Sequence, residues 1–490
     1  MMEKLKENWF IIVIILLIFF TRSLLFNKDA AFFWADERHF QQMIIKLQES
    51  KEKNDFMIAV NTIFHLNARP GLGLFYFPSA ILQWENPDIP FGSYFNIFIN
   101  SSVLLLIYLI VKKTYGFRSA ILSLSFVLFS SSTAIYLRHL LPYDASLFTL
   151  LLGLLIYVYT QKAFRFGLLA GLSFLTYASY YYILPIPLVL FLYHKSLKPA
   201  IFFLLGTAAT LIFANFMYIY FDHSSYFQSV KAESAGVTSV HIGDYVSAFS
   251  YISQYIFTID GVWHTFLIFT SLILLIFQWK EKKLNILGTY LLLTFLIMEI
   301  TSHVLKMHVL YGRTVRPFYL SALVISGIIF HRVFARVSKG SKVIYFRYFF
   351  LIIFVTFLIW LPNFLTFKNL IYPEQFKKLA KQYLVTKYNN PSNVEEVLFV
   401  NYFGVGSPPK MNVFKEYKGS KQKTFYIVNA NVIYPYYGSY DMNLFCKNEI
   451  LLKELHIQSK FKPYLFEGWG EAMRGQADKD PLYYQLIYCK

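Results

Sequence analysis

The chain has 490 residues, of which 56% are apolar, 20% aromatic and only 15% charged. Soluble globular proteins carry about 25% charged residues, so that class is excluded, and two cysteines exclude both a disulfide-rich scaffold and a Cys-based zinc site. The net charge of +18 would point to nucleic acid only if gathered on a solvated face; many of these basic residues instead sit in short clusters between apolar runs, the pattern of a polytopic membrane protein with no nucleic-acid partner.

In chain order, the first apolar run, Trp9 to Phe26, is long enough to cross a bilayer, and Lys4 and Lys6 ahead of it place the N-terminus in the cytoplasm. Thr21-Arg22-Ser23 makes a poor cleavage site, so this is read as an uncleaved span. The segment FFWADERHFQQMIIKLQES follows. Its acidic pair, Asp36 and Glu37, precedes Phe40, Ile44 and Leu47 at i, i+4 and i+7, which predicts an amphipathic helix on the membrane surface. Near the start of that helix, where the dipole favours anions, Asp36 serves equally well as a helix cap or as a reactive carboxylate. Residues 71–84 form an apolar segment too short to span.

Ten further spans are expected at 94–111, 117–137, 143–160, 166–179, 180–194, 199–221, 262–279, 284–304, 315–334 and 343–367, making about eleven. The division of 166–194 into two short helices around Tyr177 to Tyr182 sets the register of everything downstream. With alternating spans the inner loops hold Lys112, Lys113 and Arg118; Lys162 and Arg165; Lys195 and Lys198; Lys280, Lys282 and Lys283; and Arg332, Arg336, Lys339, Lys342 and Arg347. Of the 17 acidic residues before position 373, only Glu3, Glu7 and Glu281 fall inside. Every inner loop therefore obeys the positive-inside rule.

The expected fold is an all-α polytopic membrane domain over 1–372, with long outer loops at 27–93 and 222–261, followed by a small extracytoplasmic α/β domain over 373–490. In the latter, EQFKKLAKQYLVTKY predicts a helix, and VEEVLFVNY, KTFYIVNANVIY and LYYQLIYC predict strands. Cys446 and Cys489 both lie in this outward domain, where an oxidising compartment favours a disulfide; two buried thiols are the alternative.

Polar groups collect at the outer mouth, whereas a transporter tends to place them at mid-membrane. Arg69, Arg138, Arg313 and Arg316 are all assigned outside and can hold phosphate by their forked guanidinium groups, or rest among lipid headgroups. His139 and Asp144 share the outer turn RHLLPYD with Arg138. Glu299 and His303 lie one helical turn apart at membrane depth and form a secondary pair, as do Asp260 and His264, more structural than catalytic. Asn100-Ser101-Ser102 matches a glycosylation acceptor but lies within a span.

A short N-terminal tail, one span and then an acidic pair opening a surface helix resembles the GT-C glycosyltransferases, above all the protein O-mannosyltransferases and the lipid A aminoarabinose transferase. ARPGLGLFYFPSAILQW resembles their Pro-rich second juxtamembrane segment. FGLLAGLSFLTYASYYYILPIPLVLFLYH resembles their Gly-Leu-rich helix, Thr turn and following helix, and RTVRPFYLSAL their late Arg-Pro span start. The likeness covers the layout of roughly residues 1–335, and the acidic pair is its most specific part.

The resemblance implies an inverting transfer of a sugar from a polyprenyl-phosphate donor to a glycan, glycolipid or protein acceptor at the outer face. Asp36 would be the catalytic base and Glu37 would orient the acceptor or cap the helix. It implies that Arg69 contributes to the donor phosphate site. A carboxylate precedes the corresponding basic residue in the aminoarabinose transferase pattern, where this chain has Ala68; His65 or Glu85 could stand in. By the same resemblance Asp144 is a possible ligand for a divalent metal, although one carboxylate alone makes no such site and an Asp at this turn also suits a helix start. The rival functions are a transporter or flippase of lipid-linked saccharide, a polysaccharide polymerase or ligase depending on Arg and His, and a non-catalytic scaffold presenting the C-terminal domain.

Overall fold

A computed structural model describes residues 2–24, 38–65, 70–86, 91–135, 142–193, 195–222, 225–232, 247–277, 281–308, 310–369, 382–383 and 386–387, and four strands between 396 and 489. The chain divides into two compact units, the first helical and ending at Leu365, the second containing the strands.

The helical unit begins with α1 (Met2–Ser23), α2 (Arg38–Glu52), α3 (Phe56–His65) and α4 (Pro70–Glu85). The expected surface helix is α2. It buries Phe40, Met43 and Leu47 on one face and exposes Lys46 and Glu49, paired at 2.6 Å, on the other. Burial of that apolar stripe stabilises the helix. The body continues with α5 (Phe91–Tyr115), α6 (Phe117–Leu128), α7 (Ser131–Ile135), α8 (Pro142–Thr160), α9 (Ala163–Thr176), α10 (Pro185–Tyr193) and α11 (Leu197–Asp222). Then come α12 (Ala248–Phe277), α13 (Lys282–Glu299, extended by a π turn at Ile300–Val304), α14 (Gly312–Val337) and α15 (Lys342–Asn369).

Seven of these, namely α5, α8, α11, α12, α13 with its π turn, α14 and α15, are long and apolar enough to cross a membrane, the mark of a multi-pass membrane protein. The other four expected spans coincide with shorter apolar helices at Val13–Ser23, Phe117–Leu128, Ala163–Thr176 and Ala178–Tyr193. One boundary needs correction. The apolar helix that holds the span expected at 262–279 begins at Ala248, inside the presumed outer loop 222–261; it breaks at Gly261 (φ 72°, ψ −168°) and resumes from there to Phe277. Only glycine takes up such a backbone without a Cβ clash.

The division of 166–194 has a clear geometry. Helix α9 stops at Thr176, residues 178–183 form a tight turn that leaves helical angles at Tyr180, and α10 opens on Pro185, whose fixed φ suits a first turn. Tyr157 at the end of α8, Phe166 at the start of α9, Phe191 at the end of α10 and Phe203 at the start of α11 lie in ring contact, with centroids 5.1 to 6.0 Å apart. The chain therefore goes out along α9 and returns along α10 to the same level. Helices α9 and α11 cross at close range. Gly167 and Gly171, four residues apart, admit Phe203, Thr207 and Thr210 where any Cβ would collide. Thr207 and Thr210 donate to the carbonyls of Gly167 and Leu168 at 3.2 and 3.1 Å. Small residues with hydroxyl donors give tight helix pairs where lipid supplies no hydrophobic drive.

In the second unit the strands are β1 (Glu396–Val400), β2 (Thr424–Asn429), β3 (Glu449–His456) and β4 (Tyr483–Cys489), in the order β1-β2-β4-β3. The β1/β2 pair is parallel and the other two pairs are antiparallel, with a register shift between Leu451 and Lys453. The three expected strands correspond to β1, β2 and β4. Strand β3 escapes a sequence reading because Lys453 and Glu454 interrupt its apolar run. Of the expected helix at 374–388, residues 382–383 and 386–387 are described and helical. Cys489 stands opposite Glu449 in the ladder; Cys446 lies outside the described residues.

Candidate functional site

At one end of the helical unit the termini of α1, α6, α8 and α14 bring charged and hydroxyl side chains into a buried cluster. Asp144 lies in the first turn of α8, and its carboxylate forms an ion pair with Arg316 from the first turns of α14. Both side chains are about 1% exposed. Asn100, from the interior of α5, donates to the other Asp144 oxygen at 2.8 Å and to the carbonyl of Thr133 at 3.2 Å. Arg22, at the end of α1, is wholly buried and donates to Thr133 Oγ1 at 2.9 Å and to the Leu128 carbonyl at 3.4 Å. Its Nε and Nη1 atoms have no hydrogen-bond partner among the described residues. A guanidinium buried with so few acceptors is costly unless further negative charge comes near it.

Arg313 lies one turn before Arg316 and is also buried. Its guanidinium lies over the rings of Tyr311 and Tyr143, at 4.4 and 5.9 Å. The hairpin tip holds this helix start in place: Tyr180 and Tyr182 donate to the carbonyls of Arg313 and Thr314 at 3.2 and 3.1 Å. Thr314 closes a capping box with Tyr311, fixing where α14 begins. Nearby, the His308 ring lies 5.0 Å from that of Tyr181. Burial, and then the Arg313 charge, pushes the His308 imidazole down to about 4.

Two secondary pairs separate. Glu299 accepts from the Ala248 backbone at 2.6 Å and from Ser247 at 3.2 Å, and faces His303 at 2.8 Å, so it caps the start of α12. Asp260 and His264 are not a carboxylate–imidazole pair: His264 Nδ1 meets the Asp260 carbonyl at 3.3 Å. The Asp260 carboxylate instead accepts from Ser130 Oγ at 2.5 Å, Ser131 N at 2.6 Å and the Tyr319 hydroxyl.

Thus the structure brings Asp144, Arg316 and Arg313 into one neighbourhood and adds Arg22 and Asn100, which sequence reasoning did not select. An arginine within the apolar run Trp9 to Phe26 was the available signal for Arg22. The buried, bonded state of Asn100 agrees with its rejection as a glycosylation acceptor. Arg316 is no headgroup anchor, since it is fully buried. Glu85 is exposed. Asp36, Glu37, Arg69, Arg138 and His139, and the side chain of His65, lie outside the described residues. Among the described residues no three His, Cys, Asp or Glu side chains gather to hold a metal ion; the Asp144 carboxylate faces an amide donor and a guanidinium rather than fellow oxygen ligands. No family model matches the chain, and no curated protein matches it.

Proposed function

We propose that the chain is an inverting integral-membrane glycosyltransferase of GT-C type, moving a sugar from a polyprenyl-phosphate donor to a glycan, glycolipid or protein acceptor at the outer face of the cytoplasmic membrane. The observation that carries this is a buried Arg316–Asp144 ion pair with two further buried arginines, Arg22 and Arg313, at the neighbouring ends of α1 and α14. Fixed guanidinium groups in a water-poor site stabilise the charge that grows on a departing lipid phosphate. A transporter built on alternating access would instead carry such groups at mid-membrane.

In the proposed reaction the acceptor hydroxyl oxygen attacks the anomeric carbon from the face opposite the leaving group. Asp36 takes the hydroxyl proton, the bond from the anomeric carbon to the phosphate oxygen breaks, and polyprenyl phosphate leaves with the electron pair. Glu37 orients the acceptor or caps the helix. Arg69 and Arg138 join Arg313 and Arg316 on the donor phosphate, and His139 is a secondary candidate. The N-terminus is cytoplasmic, and the sheet-bearing C-terminal unit is an extracytoplasmic α/β domain with a Cys446–Cys489 disulfide. Mass spectrometry of lipid copurifying with the full-length protein tests the donor class. A polyprenyl phosphate, free or glycosylated, supports it; only bulk phospholipid, with no polyprenyl phosphate retained when it is supplied, overturns it.

A further inference from the structure

A second buried carboxylate, Asp260, has more hydrogen-bond donors among the described residues than Asp144. Asp260 is 2% exposed and lies directly before the break in α12 at Gly261. Its described carboxylate partners are all neutral donors: Ser130 Oγ, Ser131 N and the Tyr319 hydroxyl. Two of them belong to Ser130–Thr133, a four-residue hydroxyl segment that runs from the α6–α7 link into the first turn of α7. The helix break turns one carboxylate toward that segment while Tyr319 ties it to α14.

The same segment reaches the charge cluster. Thr133 Oγ1 donates to the Ser130 carbonyl at 2.7 Å and accepts from Arg22, and the Thr133 carbonyl accepts from Asn100. Asn100 then donates to Asp144, which pairs with Arg316. Tyr319 and Arg316 lie three apart on α14 and so share a face. These contacts form a ring that the backbone of α14 closes between Arg316 and Tyr319: Asp260, Ser130–Thr133, Asn100, Asp144, Arg316, Tyr319 and back to Asp260. A second hydroxyl pair, Ser132 with Tyr255 at 2.9 Å, ties the segment to α12 as well.

We propose that Asp260 is a positioning residue, which sets the Ser130–Thr133 segment and through it the placing of Arg22, Asn100 and the Asp144–Arg316 pair. It touches none of the charged groups itself. Buried hydrogen-bond networks of this kind are worth more than their separate bonds. What the positioned cluster is for rests on the proposed donor-phosphate role; the linkage itself does not.

Reversible unfolding of the full-length protein in mixed detergent, with Asp260→Asn and Asn100→Ala singly and together, tests the linkage. The two side chains share the Ser130–Thr133 segment rather than a direct bond. The expected result is coupling: the double variant departs from the product of the single changes in unfolding constant by about twofold or more. Asp260→Asn combined with His331→Gln, outside the ring, should multiply without coupling. If Asp260→Asn does not fold, Tyr319→Phe replaces it, since it removes one donor to Asp260 and keeps the aromatic side chain. Multiplicative behaviour of the Asp260 and Asn100 changes overturns the proposal.

Binding of a short-chain polyprenyl phosphate, measured on the same proteins, gives the readout that a purely structural role would not move. Asp260→Asn should raise the Kd by about fivefold or more with the circular dichroism spectrum unchanged. An unchanged Kd overturns the positioning role. A wild-type protein that binds no polyprenyl phosphate overturns the donor class, while the unfolding cycle still decides the linkage.

Discussion

The two ends of the helical unit hold the same kind of cation in opposite physical states. At one end Arg22 and Arg316 are fully buried and fixed by hydroxyl, amide and carboxylate groups. At the other, Lys113 and Arg118 are exposed and lie over aromatic faces, Lys113 above Tyr159 at 5.0 Å and Arg118 above Tyr345 at 4.7 Å. Arg332 there pairs with Glu281, itself partly solvated. Solvated cations at helix ends orient a membrane protein and are individually replaceable. Buried ones cost free energy in the resting fold, so their presence, among the described residues, at one end points to work done there.

The largest expected contrast comes from removing one arginine at each end. Arg316→Met strands the Asp144 carboxylate in a buried site and should cost about 3–5 kcal/mol. Arg118→Met loses the contacts of an exposed cation with the Tyr345 and Phe346 rings and should cost under about 1 kcal/mol. Equilibrium unfolding of both variants checks this; equal losses would remove the distinction between the ends. Replacing both members, Asp144→Leu with Arg316→Met, should recover much of the stability without restoring function.

Arg22 sharpens the comparison from the other direction. Two of its nitrogens lack partners among the described residues, so Arg22→Met should leave stability unchanged or raise it by about 1 kcal/mol. The same change should weaken polyprenyl phosphate binding about tenfold, equivalent to about 1.4 kcal/mol. A loss of stability with unchanged binding would make Arg22 a structural residue only.

A smaller effect follows from His308. Its imidazole titrates near 4 in the folded protein, against an ordinary value of 6.5. The unfolded chain therefore holds more protons between those values, so this contribution to stability is complete above about 6.5 and is lost as pH falls toward 4. His308→Gln should flatten that part of the stability–pH curve, and an unchanged slope would contradict the assignment. The direction of the two ends in the membrane is the remaining test. In a background with Cys446→Ser and Cys489→Ser, a cysteine at position 231 or in 373–490 should react with an impermeant reagent in intact cells. One at 283 or 339 should not.

Much of the architecture was legible because it rests on periodicity and composition. The Phe40 and Leu47 stripe marked α2, and the expected break around Tyr177 to Tyr182 matches the tight turn between α9 and α10. The start of α12 was not legible: Ser250, Gln254 and Asp260 make its first half resemble a polar loop, and only packing reveals a helix. Asp144 and Arg316 each stood out as charged residues near span ends. Their pairing did not, since 172 positions separate them and no local rule joins them. The i, i+4 spacing of Asp260 and His264 misled for a definite reason, because the carboxylate found three donors from other helices.

The central claim is sugar transfer with Asp36 as its base. Its most direct test is the rate at which purified wild-type protein and Asp36→Asn move a labelled sugar from a polyprenyl-phosphate donor, with donor binding measured in parallel. The substitution keeps the side-chain shape and removes the proton acceptor, so transfer should fall by ~10²–10⁴-fold while donor binding persists. Near-normal transfer by Asp36→Asn with donor bound would remove Asp36 from the mechanism, and no transfer by the wild type from any polyprenyl-phosphate sugar would contradict the enzyme assignment itself.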